Sequence, residues 1–176
     1  IKVLTGIYPP DEGEIYFAGQ RVQFSGPKEA RDMGIEAVYQ SLDLVDLMSI
    51  GRNFFLGREL TTNRLGVPLL DMPRIRQECT SVLKKIGIRR ARSPDTVTAV
   101  LSGGERQAIN IGRAMYFKAK LIILDEPTTA LSVKETEIVL QFIQDVQREG
   151  IPVIFITHNI YHVYQVANRF VILDRG

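Results

Sequence analysis

The chain of 176 residues is 45% hydrophobic and 24% charged, an ordinary globular composition for one sizeable domain with a buried core. A net charge of +2, from 22 basic against 20 acidic residues, excludes a strong overall field that would recruit nucleic acid or anionic lipid. A single cysteine excludes an internal disulfide framework and fits a reducing compartment, and the longest apolar runs, LIIL and VIFI, fall far short of the roughly 20 residues that span a bilayer.

In chain order, EIYFAGQRVQF reads first as a hairpin. Ile15 and Phe17 alternate with polar residues, Gly19-Gln20 suits a two-residue type II′ turn, and Val22 and Phe24 alternate on the return. A short helix from Pro27 to about Met33 stops at Gly34, and IEAVY then reads as a buried strand with Gln40 at its exit. From Ser41 to about Pro94 the β signal fades and helical periodicity takes over, most clearly from Asp71 to Ile86, so this stretch reads as a mainly helical insert. Within it Cys79 shares a face with Ile75, Val82, Leu83 and Ile86, the placement of a core thiol. GIRRARS, with Arg89, Arg90 and Arg92, reads as a solvated interhelical loop.

LSGGERQ opens a further helix. Ala108, Ile109, Gly112, Met115 and Tyr116 share one face, and Arg106, Asn110 and Arg113 the opposite one. Ser102 is a natural N-cap and Glu105 completes a capping box. The two glycines are more than a cap needs. Bare backbone at a helix N-terminus suits the close approach of an anion, so the stretch has the makings of a phosphate contact. LIILDE, a helix from about Val133 to Glu149, PVIFITH, a helix through His162 and RFVILD then give β-α-β-α-β. Such alternation implies a parallel sheet covered on both faces, with ligands outside the strand C-termini, where Gln40, Asp125, Glu126 and His158 fall. An acidic pair at a strand mouth can simply face solvent. It can equally hold magnesium, through Asp125, and polarise an attacking water, through Glu126. His162, one turn beyond His158, reads as structural.

LSGGERQ, LIILDE, Gln40 and His158 together resemble, in order and approximate spacing, the signature loop, Walker B strand, Q-loop glutamine and switch histidine of the ATP-binding subunits of ABC transporters. The resemblance runs from end to end. It implies an α/β fold of the P-loop NTPase (RecA-like) kind: a parallel sheet with an antiparallel hairpin and a mainly helical insert. Residues 1–40 and 118–176 would be parts of the α/β core, and 41–117 the helical subdomain with the signature motif. ATP and Mg2+ are the implied cofactors. Asp125 and Gln40 would hold the metal, Glu126 and His158 would be catalytic, and Gln40, Leu101, Ser102, Gly103, Gly104 and Glu105 would bind nucleotide, the signature loop touching ATP held by a second ATPase domain in a head-to-tail dimer.

SGPKEARDMGIEAVYQ and NFFLGRE resemble the ATPases of bacterial monosaccharide importers of the ribose, xylose and fructose kind. The implied function is ATP hydrolysis driving carbohydrate uptake, at the cytoplasmic face of the bacterial inner membrane. The implied partners are transmembrane permease subunits and, indirectly, a periplasmic sugar-binding protein, with no nucleic acid. Phe54, Phe55 and Met48 would either receive a helix of the permease or pack within the insert. A soluble ABC ATPase acting on DNA or ribosomes is the alternative, but the insert lacks sustained heptads, and the chain is not markedly basic. A catalytically silent ATP-binding partner domain is a third reading, opposed by Glu126, His158 and LSGGE.

Two features depart from the family pattern. The phosphate-cradling G-x-x-x-x-G-K-[ST] is absent from the 176 residues, and IKVLTGIYPPDEGEI resembles the stretch that comes after its lysine in the family. The chain starts at Ile1 without a signal peptide and stops at Gly176 after a strand-like FVILD, so both ends read as cut. Ser132 stands where most relatives carry aspartate, and with Glu135 it forms a second capping-box pattern.

Overall fold

The computed structural model describes residues 1–39, 44–64, 66–86 and 93–174. The short hairpin strands β1 (Ile15–Phe17) and β2 (Gln20–Val22) precede helix α1 (Pro27–Asp32) and strand β3 (Ile35–Val38). The insert holds α2 (Ile50–Phe54), β4 (Thr61–Arg64), β5 (Val67–Leu70) and α3 (Met72–Lys85). Helix α4 (Gly103–Tyr116), β6 (Leu121–Asp125), α5 (Val133–Arg148), β7 (Val153–Ile156) and α6 (Ile160–Val166) complete the described elements.

Three strands form the parallel sheet in the order β3-β6-β7. Because successive side chains on a strand point to opposite faces, β6 serves two cores at once. Ile122 and Leu124 join Val38 in the larger core, with Ile109 and Ile111 of α4 and Val139 and Ile143 of α5. Ile123 faces the other way and packs with Ile35 and Ala30 of α1. The register pairs Val38 with Leu124 and Asp125 with Ile156, so the three strands end side by side. Gly34 makes the entry into β3 possible: its φ is +99 and a Cβ there would lie 2.9 Å from the Lys120 side chain.

The first hairpin forms one residue earlier than its sequence suggests. Phe17 pairs with Gln20, so the turn residues are Ala18 and Gly19 rather than Gly19 and Gln20. Their φ values of +50 and +78 put two left-handed residues in succession, the requirement of a type I′ rather than a type II′ turn. The insert is also less purely helical than its periodicity predicts. β4 and β5 pair antiparallel from Thr61–Leu70 to Arg64–Val67, and the strand residues whose burial is described are exposed. A ribbon wet on both faces carries no alternation to read. RFVILD, in turn, forms no strand: Phe170–Leu173 is exposed and joins no ladder among the described residues, Phe170 resting on the Tyr164 ring. An apolar run becomes a strand only where a neighbouring strand accepts its hydrogen bonds.

Phe54 and Phe55 are fully buried, which overturns their reading as an open groove for a permease helix. Phe54, Phe55, Tyr116 and Phe117 form a cluster with ring centroids 5.1–6.4 Å apart, mostly edge to face. Beside them Asn53 is buried and fully used. Its Oδ1 accepts from the Val45 amide at 2.8 Å, and its Nδ2 approaches the Val45, Met48 and Ser49 carbonyls and the Thr98 hydroxyl at 3.0–3.3 Å. One side chain thus closes the segment before α2 onto the segment before α4. Cys79 faces the same core from α3 and is fully buried.

Candidate active site

β6 delivers Asp125 and Glu126 to the end of the sheet. The Glu126 amide donates to the Ile156 carbonyl at 2.9 Å, and the chain then leaves through a left-handed residue, Glu126 itself, at φ +50. That conformation costs a non-glycine residue roughly 1 kcal/mol or more. It is over-determined here by hydrogen bonds to the neighbouring strand end. Glu126 Oε1 accepts from the His158 amide at 3.0 Å and meets His158 Nδ1 at 2.9 Å; Oε2 accepts from the Thr157 hydroxyl at 3.1 Å and the Thr129 hydroxyl at 2.9 Å. Burial works to raise the Glu126 carboxyl, but donors from His158, Thr129 and Thr157 outweigh it and hold the carboxyl below its usual range. The carboxylate is 18% exposed and the imidazole 78%, so the ring lies on the solvent side of the pair.

Asp125 pairs within the sheet, and among the described residues its carboxylate takes part in no hydrogen bond or ion pair. No group of three or more His, Cys, Asp or Glu able to hold a metal occurs among the described residues. A carboxylate at that strand end suits magnesium brought in with phosphates, because that ion keeps several waters and takes only one or two carboxylates. Gln40, the other residue assigned to metal and nucleotide, lies outside the described residues, as do Arg89, Arg90 and Arg92. His162 is internally satisfied: Nδ1 lies 3.0 Å from the Thr128 hydroxyl and Nε2 lies 3.1 Å from Asn159 Nδ2. A cavity of about 420 Å3 opens between these groups and α5, lined by Glu126, Thr128, Leu131, His158 and His162.

At the start of α4 the capping box is complete. The Ser102 amide donates to Glu105 at 2.9 Å and the Glu105 amide to the Ser102 hydroxyl at 3.3 Å, with Leu101 buried beneath. The glycines meet the chain itself. A Cβ on Gly103 would stand 2.6 Å from Leu131 Cδ2, and one on Gly104 would stand 3.0 Å from Glu135 Cβ and 3.3 Å from its Cα. The Gly104 amide donates to Glu135 Oε1 at 3.3 Å. Glu135 closes its own capping box with Ser132. The Ser132 amide and hydroxyl and the Gly104 amide, outweighing burial, pull its carboxyl down to about 2.

The structure therefore joins Glu126 directly to His158, with Thr129 and Thr157 on its other oxygen, and separately joins Ser102–Gly104 to the first turn of α5. No hydrogen bond links the two groups among the described residues. Sequence reasoning missed Thr129 and Thr157, and read Glu135 only as the capping-box partner of Ser132. The repeated S-x-x-E at 102–105 and 132–135 was the one available signal for Glu135, and it showed two caps without showing that they touch.

A family model described as ABC transporter matches residues 1–129. A xylose/arabinose import ATP-binding protein of Sulfolobus acidocaldarius is 43% identical over 100% of this chain and 68% of its own length. A fructose import ATP-binding protein of Rhizobium meliloti is 42% identical over 96% of this chain, and a ribose import ATP-binding protein of Burkholderia cenocepacia is 35% identical over 100%. The chain spans 66% of the length of the fructose relative and 34% of the ribose relative. Among solved structures, a nucleotide-free ATP-binding cassette from an ABC transporter superposes with a TM-score of 0.77 at 21% identity, covering 94% of this chain and 67% of that one. A dimeric post-hydrolysis cassette bound to ADP and Pi gives 0.71 at 23% identity, covering 94% and 71%. At these identities the two structures speak for the fold alone.

Proposed function

The chain belongs to the ABC transporter family, and from that membership we propose that it forms part of the ATP-hydrolysing subunit of a monosaccharide importer. The observation that carries the proposal is the contact between Glu126 and His158 at adjacent strand ends. Asp125 would hold Mg2+ together with nucleotide phosphates and Gln40. The ion, when bound, neutralises charge developing on the transferred phosphoryl group. Glu126, kept ionised by its donors, is a weak base and a strong hydrogen-bond acceptor, so its task is to orient and polarise the attacking water. His158, on the solvent side of the pair, would meet the γ-phosphate.

The same protomer cannot supply everything. Ser102–Gly104 is tied to α5 rather than to Glu126, which supports a head-to-tail pair in which the signature loop of one protomer, with Leu101 and Glu105 shaping it, closes over ATP on the other. Permease subunits and a sugar-binding protein would complete the importer at the cytoplasmic face of the membrane, consistent with relatives named for the import of xylose/arabinose, fructose and ribose. No helix among the described residues is long and apolar enough to cross a membrane, so the crossing would fall to those subunits.

The test is Glu126→Gln in the full-length subunit. Hydrolysis should fall by about a hundredfold or more, while ATP binding persists and an ATP-dependent dimer accumulates on gel filtration. Turnover near wild type, with the protein remaining monomeric in ATP, would overturn the role given to Glu126.

A further inference from the structure

Glu135 does more than an N-cap partner requires. Ser132 alone supplies the α5 capping box: its amide lies 3.0 Å and its hydroxyl 2.8 Å from Glu135 Oε2. That leaves Oε1 free, and Oε1 reaches across to the first turn of another helix, the Gly104 amide, 31 residues away in sequence. The backbones close over this contact, since a Cβ on Gly104 would press to 3.0 Å on Glu135 Cβ, and one on Gly103 would require the Leu131 side chain to move. A buried or half-buried amide at a helix N-terminus needs an acceptor, and a carboxylate held ionised is a strong one.

We infer that Glu135 is a positioning residue, tying Ser102–Gly104 to the N-terminus of α5 so that the signature loop and residues 127–131 move as one body. The inference rests on the proposed assignment of Ser102–Gly104 to a partner's nucleotide. Residues 127–131 directly follow Glu126, which belongs to the protomer's own site. A rigid tie therefore means that rearrangement at one nucleotide shifts the loop that serves the other. The Ser102 side chain also hydrogen-bonds Glu135, so the tie draws on both Ser102 and Gly104.

The tie is tested in the full-length subunit with Glu135→Ala, Glu135→Gln and Ser132→Ala, each read by amide hydrogen exchange at Gly104 and by steady-state ATP hydrolysis. Glu135→Ala removes the acceptor, so exchange at Gly104 should accelerate about tenfold or more. Misplacement of the loop should lower kcat by about ten- to a hundredfold, while KM for ATP stays within about threefold because the protomer's own nucleotide contacts are untouched. Glu135→Gln keeps one acceptor, which serves Gly104 only by turning its amide NH2 toward the Ser132 amide, so it should restore both in part, above Glu135→Ala. Ser132→Ala weakens the α5 cap and leaves Gly104 engaged, so it should lower thermal stability without the kcat loss. Should Glu135→Ala not fold, Glu135→Asp, one methylene short of Gly104, carries the same comparison. Unchanged Gly104 exchange in Glu135→Ala, or in Glu135→Asp where that is used instead, or an equal loss of kcat in Ser132→Ala, would overturn the tie. Absence of hydrolysis by the wild-type protein counts against the proposed function and not against the tie, which Gly104 exchange then decides alone.

Discussion

At the scale of single residues, Gly103 and Gly104 differ in what surrounds them. A Cβ at Gly103 meets the far end of the Leu131 side chain, which can rotate away; one at Gly104 meets the Cβ, Cγ and Cα of Glu135, which cannot. Gly103→Ala should therefore be close to neutral in urea unfolding, and Gly104→Ala should cost about 1–3 kcal/mol. Equal costs would show that the two helix ends are not packed as described. The same contact bears on how the glycines are probed for nucleotide binding. An acidic residue at Gly104 would collide with Glu135 and repel its carboxylate, so Ser102, exposed at the cap, is the cleaner position. Ser102 and Glu105 were legible from sequence because a capping box is local chemistry. The Gly104–Glu135 contact was not, because nothing in either segment encodes which other helix end it will meet. Likewise the ends of β6 and β7 placed Glu126 beside His158, but the two threonines that complete the carboxylate's shell are ordinary residues until the register brings them there.

At the scale of elements, the readable ones are those with a single buried face. α3, α4 and α5 each bury one side against the larger core, and their periodicity announced them. The β4 and β5 residues whose burial is described are exposed, and they were silent, while Phe170–Leu173 was apolar enough to read as a strand and joins no ladder among the described residues. The first hairpin slipped by one position because Ala18 adopts a left-handed conformation that a β-carbon disfavours, so the glycine was credited with the first place in the turn. Within the insert, element placement depends on Asn53. Asn53→Ala would leave the Val45 amide and several carbonyls without their partner, at a cost of about 2–4 kcal/mol. Asn53→Asp should cost more, since a carboxylate cannot donate to the Met48 and Ser49 carbonyls it would face. Chemical denaturation of both variants checks the order, and an Asp variant as stable as wild type would contradict the hydrogen-bond assignment.

At the scale of the whole molecule, the larger core is continuous. It runs from Phe54 and Cys79 in the helical insert through Ile109 to Ile122, Leu124 and Val139 beside the sheet, so the two regions share side chains rather than merely touching. Shared packing predicts one cooperative transition. Cys79 offers a native probe of it: burial pushes its thiol up to about 12, leaving it protonated and unreactive while the fold holds. Labelling of Cys79 by a thiol reagent should follow the same urea profile as loss of far-ultraviolet circular dichroism. A thiol that reacts at clearly lower urea would mean that the insert opens before the sheet.

The aromatic cluster has an optical consequence as well. The chain contains no tryptophan, and Tyr116 is set edge-on to Phe54, Phe55 and Phe117, an asymmetric and rigid setting for a chromophore. Tyr116 therefore contributes, as one of six tyrosines, a near-ultraviolet dichroic signal from within the insert, which Tyr116→Phe would isolate by difference, and one tryptophan introduced beside the β6–β7 strand ends would emit against a dark background. Two colours would then follow the two regions of one chain in a single cuvette, with no dye attached to either.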